Sequence, residues 1–258
     1  MPILTNTVVE ELPIRGYHKG FHAYLGFCNV SYERLLETKN MYLHGDELKH
    51  YNALEAEAHQ RSYLRGRYIS KEVLAAYFEE QDYTRFNIIN GVFNHPIVEY
   101  VQGHNRTGVS ITHNEVYGVS IAFSEELPMS VDIERCNLSQ KEIIKSQLSP
   151  DERELAANMS WQSTVAYTVL WTVKEAISKV IKTGLTIPLE VLKISEFEEF
   201  ENHIVCRFAN FPQYQTVSFR VKRDHVCSIA MPEGVVETED VNNFIEQTLF
   251  SINLQSDI

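Results

Sequence analysis

The chain has 258 residues, 44% of them hydrophobic, and a formal net charge of −12, which is enough for a packed core in one large domain or two of modest size. The acidic excess argues against a general nucleic-acid binder and against broad attraction to anionic membranes, so no nucleic acid or membrane is expected as a partner, and an anionic substrate has to be met by a local basic or metal site. No stretch has the apolar length of a membrane-spanning helix or the pattern of a signal peptide, and the widely spaced Cys28, Cys136, Cys206 and Cys227 form no CxxC pair, so the expectation is a reduced, cytoplasmic protein without zinc or dithiol chemistry.

Taken in chain order, Asp46 to Phe78 is rich in helix formers. Ile69, Val73, Ala76 and Tyr77 fall at i, i+4, i+7 and i+8, one face of a helix. Gly66 marks a bend or a close packing contact. Two strands are expected at Gly108–His113 and Tyr117–Phe123, where Val109, Ile111, Tyr117, Val119, Ile121 and Phe123 alternate with small or polar residues, joined by a turn at Asn114-Glu115. A third, Met129–Glu134, leads into a second half of similar logic.

There, Ser139 with Glu142, and Ser149-Pro150-Asp151-Glu152, read as helix starts. A long helix covers roughly Gln162–Lys182 and stops at Thr183-Gly184. Strands are expected near Leu192–Ser195, His203–Phe208, Thr216–Val221 and Val226–Met231, with an acidic, peripheral tail from Asp240. The pattern predicts an α+β chain of two similar lobes in pseudo-twofold arrangement, residues 1–128 and 129–258. Each lobe is expected to pack a long helix on a small antiparallel sheet.

Three local features carry chemistry. In Ser130-Val131-Asp132-Ile133-Glu134, strand alternation puts Asp132 and Glu134 on one side, roughly 7 Å apart along the backbone. Two such carboxylates suit a hard cation such as Mg²⁺, with phosphates filling its other positions; a solvated strand face is the competing reading. On the long helix, Glu175 and Lys179 are four residues apart and share a face. They either complete a metal and phosphate site or form an ordinary ion pair of about 0.3–0.5 kcal/mol. His113, at a strand end, meets a phosphate or is a surface residue.

In this order and spacing, Thr112-His113, Asp132-Ile133-Glu134 and Trp171-Thr172-Val173-Lys174-Glu175-Ala176-Ile177-Ser178-Lys179 resemble the 4′-phosphopantetheinyl transferases of the larger, surfactin-synthetase-activating type. Gly184 to Leu189 is similar to the loop that follows the family's helix, and Glu47 to Arg67 to its first long helix. The resemblance implies a two-lobed monomer with its active site between the lobes, coenzyme A as donor and Mg²⁺ as cofactor. It implies a serine of an acyl- or peptidyl-carrier protein as acceptor and 3′,5′-ADP as leaving group.

Carried over, Asp132, Glu134 and Glu175 are metal ligands, Glu175 is also the base for the serine proton, and His113 and Lys179 contact phosphates, with Thr112 beside them and Lys174 assisting. Three residues depart from the family pattern: Thr112 for serine, His95 for the lysine before proline, and Ser130 for glycine. The His95 change implies weaker, pH-dependent phosphate binding. Lys49 and Arg61, with His50 and Arg65, are the candidates for the 3′-phosphate. The competing functions are a coenzyme A-binding regulatory or assembly protein without turnover, and a structural α+β protein whose acids are only solvated.

Overall fold

A computed structural model describes residues 4–15, 20–100, 106–222 and 224–254. The chain divides into two compact units. The first runs up to Pro128 and takes in the residues from Glu246 onward; the second is Met129–Ile245.

The first unit comprises β1 (Thr7–Glu11), β2 (Ala23–Cys28), α1 (Tyr32–Tyr42), α2 (Gly45–Asn52), α3 (Glu57–Phe78), β3 (Phe86–Asn90), β4 (Pro96–Tyr100), β5 (Thr107–His113) and β6 (Gly118–Ser124). Among the described residues, four strands form an antiparallel sheet in the order β1-β2-β6-β5, and β3 and β4 pair as a separate hairpin. Helix α3 covers the sheet, burying Leu64, Tyr68, Ile69, Val73 and Leu74 with Val109 and Ala122.

The helix-rich stretch from Asp46 to Phe78 forms two helices, broken at Ala53–Ala56, so the one long helix that the resemblance implied for Glu47 to Arg67 is interrupted. A capping box fixes the start of α2: Glu47 accepts from the His44 backbone N–H at 2.9 Å. The same carboxylate then reaches the interior, where it accepts from Ile88 N at 3.0 Å and pairs with Lys71 of α3 at 2.7 Å. Gln60 caps the broken end by donating to Leu54 O at 2.6 Å. Gly66 is a packing contact, since a Cβ there would lie 3.3 Å from Ile111 Cγ2 and 3.4 Å from His113 Cδ2.

The second unit comprises β7 (Ser130–Arg135), α4 (Leu138–Gln147), α5 (Pro150–Asn158), α6 (Ser163–Val180), β8 (Ile194–Glu199), β9 (His203–Phe208), β10 (Tyr214–Val221) and β11 (His225–Pro232), followed by the start of α7 (Thr238–Leu254). Its sheet is antiparallel, in the order β7-β11-β10-β9-β8. Helix α6 is buried along most of its length, packing Val169, Leu170, Val173 and Ile177 with Ile204, Cys206, Val226 and Ala230.

The Ser149 capping box forms as read, with Glu152 closing it. Helix α4 instead takes Asn137 as its cap, because the Asn137 side chain accepts from Ser139 N at 2.9 Å. The tail is helical and partly core, since Val241, Phe244 and Ile245 are buried. No helix among the described residues is long and apolar enough to cross a membrane.

Candidate functional site

Strand β7 pairs with β11 so that Asp132 lies opposite Ser228 and Glu134 opposite Val226. Alternation puts Ser130, Asp132 and Glu134 on one face, the face that α6 crosses. Two fastenings hold helix and strand together around Asp132. Ser130 Oγ donates to Ala176 O at 2.5 Å. Lys179 Nζ donates to Asp132 Oδ1 at 2.7 Å and to Val131 O at 3.1 Å. The Asp132 side chain is 5% exposed and that of Lys179 26%.

Glu175 stands one turn before Lys179. Its carboxyl is held above the usual range, first by burial and then by the charge of Asp132, with Lys179 pulling the other way. Asp132, Glu175 and Lys179 are therefore within electrostatic reach of one another. Glu134 is further along β7 and half-buried. Beside Asp132, three buried hydroxyls form a row: Thr172 and Ser218 each share a hydrogen bond of 2.7 Å with Ser228.

Among the described residues no group of three His, Cys, Asp or Glu side chains stands ready to hold a metal ion. The donor chemistry still fits magnesium. That ion takes oxygen ligands and usually binds through one or two carboxylates, with water and substrate phosphates completing its shell. Asp132 and Glu175 supply such a pair of oxygen donors, and burial first, then the charge of Asp132, holds the Glu175 carboxyl above its usual range.

The structure brings the other sequence-derived residues to different places. Lys174 is interior: its ammonium is 2.6 Å from Glu152 and donates to Leu189 O at 2.9 Å and Leu192 O at 3.2 Å. All three of its donors are taken, which leaves none for a phosphate, so assistance from Lys174 is replaced by a structural role.

In the first unit, Thr112 is buried and His113 exposed at the end of β5. The His95 ring lies on Gly91, where any Cβ would meet it at 2.2 Å. Lys49 pairs with Asp46 at 2.8 Å on the surface. Arg61 pairs with Glu57 and lies over the Tyr32 ring at 4.4 Å. A cavity of about 270 Å³ in this unit is lined by Glu47, His50, Tyr63, Arg67 and Asn87 among others. Ser130 was visible in sequence only as a departure from glycine, and its bond to α6 explains it. Ser228 carries no sequence signal, because only the β7–β11 register sets it beside Asp132.

Comparison with known proteins adds an independent finding. Residues 128–230 match the family model described as the 4′-phosphopantetheinyl transferase superfamily. No curated protein sequence matches the chain. Among solved structures, a holo-(acyl-carrier-protein) synthase from Bacillus anthracis str. Ames, in complex with CoA (3′,5′-ADP), is 16% identical, with 39% of this chain and 93% of that one covered and a TM-score of 0.34. A holo-ACP-synthase from Plasmodium yoelii is 15% identical, covering 36% and 80% of the two chains with a TM-score of 0.32. Likenesses this distant carry no argument about the present chain. The matched span holds β7 and α6, and with them Asp132, Glu134, Glu175 and Lys179; over that span the chain is similar to the 4′-phosphopantetheinyl transferase superfamily.

Proposed function

We propose that this protein transfers the 4′-phosphopantetheine group of coenzyme A to a serine of an acyl- or peptidyl-carrier protein, with Mg²⁺ as cofactor. The observation that carries the reading is the meeting of Asp132 with Lys179, at 2.7 Å, next to a Glu175 carboxyl that burial, and then Asp132, pushes upward. Acids and a cation gathered on one partly buried face suit a pyrophosphate substrate, whose negative charge they bind and orient through a metal and an ammonium.

In the proposed step the carrier serine oxygen bonds to the phosphorus next to the pantetheine. The phosphorus–oxygen bond to 3′,5′-ADP breaks, and the serine proton passes to Glu175 directly or through a water. A carboxyl raised toward neutrality is a better proton acceptor than an ordinary one. Asp132 and Glu175, with Glu134 as the third proposed donor, would hold the metal, which when bound supplies charge neutralisation to the pyrophosphate and the leaving group. Lys179 provides positive charge to the same oxygens.

Thr112, His113, His95, Lys49 and Arg61 remain the proposed contacts of the first unit with coenzyme A. The chain is read as the larger, two-lobed type, in which two units follow one plan, and as a cytoplasmic monomer. The reading is tested by incubating the protein with coenzyme A, Mg²⁺ and a purified apo carrier domain. The carrier should gain the mass of one phosphopantetheine, and no gain across fatty-acid, polyketide and peptide-synthetase carriers would overturn the proposal. Coenzyme A binding without any transfer would single out the inactive binder instead.

A further inference from the structure

We propose that Lys179 is a placeholder cation: it occupies the charge position at Asp132 while no metal is bound and gives that position up when a divalent cation arrives. The inference rests on the transferase reading and deepens it, because the lysine then changes partner during the binding of metal and donor.

The argument starts from burial. A carboxylate as enclosed as Asp132 is strongly disfavoured without a counter-charge. Lys179 supplies that charge at 2.7 Å and anchors itself on Val131 O. Magnesium requires close oxygen contacts near 2.0–2.1 Å. An ammonium and a dication crowded on one carboxylate repel each other, so the lysine is driven off as the metal takes hold.

The same helix contains the contrasting case. Lys174 also pairs with a buried acid, but its side chain is 1% exposed and its three donors are saturated, so it has no path out. Lys179 is 26% exposed and reaches Asp132 from the rim. Its flexible four-carbon stem lets the ammonium swing without unpacking α6.

A displaced ammonium at this rim is placed to meet an anionic phosphate. Metal and phosphate binding are then linked through one side chain, and the linkage is reciprocal.

The test uses the full chain without donor or carrier. Lysine labelling is followed by mass spectrometry as Mg²⁺ is added, alongside calorimetry of Mg²⁺ binding. The labelling rate of Lys179 should rise several-fold with Mg²⁺ while that of Lys174 stays constant. The variant Lys179→Met should bind Mg²⁺ about tenfold more tightly than the wild type.

Mg²⁺ binding with Lys179 labelling unchanged or slowed, or with Lys179→Met binding no tighter, overturns the placeholder role and leaves the metal reading standing. Absence of Mg²⁺ binding in both proteins overturns the placeholder role, which needs the metal to bind ahead of the donor, and leaves the transferase reading to the carrier-loading assay.

Discussion

The two units anchor a long helix in the same way and then diverge at the next residue. In the first, the capping-box Glu47 accepts from Ile88 N at 3.0 Å and pairs with Lys71 at 2.7 Å, while Lys71 donates to Phe86 O. In the second, the capping-box Glu152 accepts from Ile194 N at 3.1 Å and pairs with Lys174 at 2.6 Å, while Lys174 donates to two carbonyls. Each lysine is followed by a glutamate. Glu72 turns to the Tyr83 hydroxyl at 2.8 Å; Glu175 faces Asp132 and Lys179.

The sheets differ at the matching place. Opposite Ser120 stands Gly26, pressed so closely by α3 that a Cβ would lie 2.6 Å from Val73 Cγ1. Opposite Ser228 stands Asp132. Both serines bond to a hydroxyl on the crossing helix, Ser70 in one unit and Thr172 in the other. One scaffold thus closes this face with aliphatic packing and the other opens it to charge. The lesson is that the lysine of the Lys-Glu pair is structural in both units, and that the residue after it is where the proposed chemistry distinguishes them.

The sharpest way to break the comparison is to remove the anchors. Glu152→Ala and Glu47→Ala each strand a buried ammonium and should each cost about 3–5 kcal/mol in denaturant unfolding. A small cost at either one would show that the two anchors are not equivalent. Gly26→Ala should cost about 1–3 kcal/mol by overpacking against α3.

A pH experiment then probes the first anchor alone. Burial pulls the Lys71 ammonium down to about 8, against the opposing pull of Glu47. Between there and the ordinary value of 10.5 the unfolded chain holds a proton that the folded chain lacks, so folding gains as pH rises through that window. The wild type should accordingly gain stability relative to Lys71→Met from pH 8 to 10.

The smallest effect belongs to Glu72, whose carboxyl is also raised by burial. Here the folded state keeps a proton the unfolded chain has released, so stability is lost as pH rises from 4.5 through the raised folded value. Glu72→Gln removes that loss and should shift stability at pH 7 by no more than about 1 kcal/mol, upward if at all.

The parts of this comparison that were legible in sequence are the local ones. Asp132 and Glu134 are two apart on a strand, Glu175 and Lys179 four apart on a helix, and the Ser149 box is a four-residue pattern, so each follows from a short period. Helix geometry alone assigns Lys174 to a different face. At 3.6 residues per turn it lies about 140° around the helix from Lys179 and cannot share its face.

The rest depends on distant partners. Strands β1 to β4 lie outside the elements expected from the sequence, as does the break between α2 and α3, across which Glu47 is attached to Lys71 and, beyond them, to Ile88. Burial inverted the reading of the tail, whose acidic residues hide Val241, Phe244 and Ile245.

The central claim is that the glutamate after the structural lysine does chemistry in one unit and none in the other. Glu175→Gln and Glu72→Gln should therefore be compared in one carrier-loading assay, with folding checked by thermal melting. The account predicts that Glu175→Gln loses about 10²–10⁴-fold in turnover while remaining folded, and that Glu72→Gln works at close to the wild-type rate. Near-normal turnover by Glu175→Gln, or an equal loss in both variants, would contradict it.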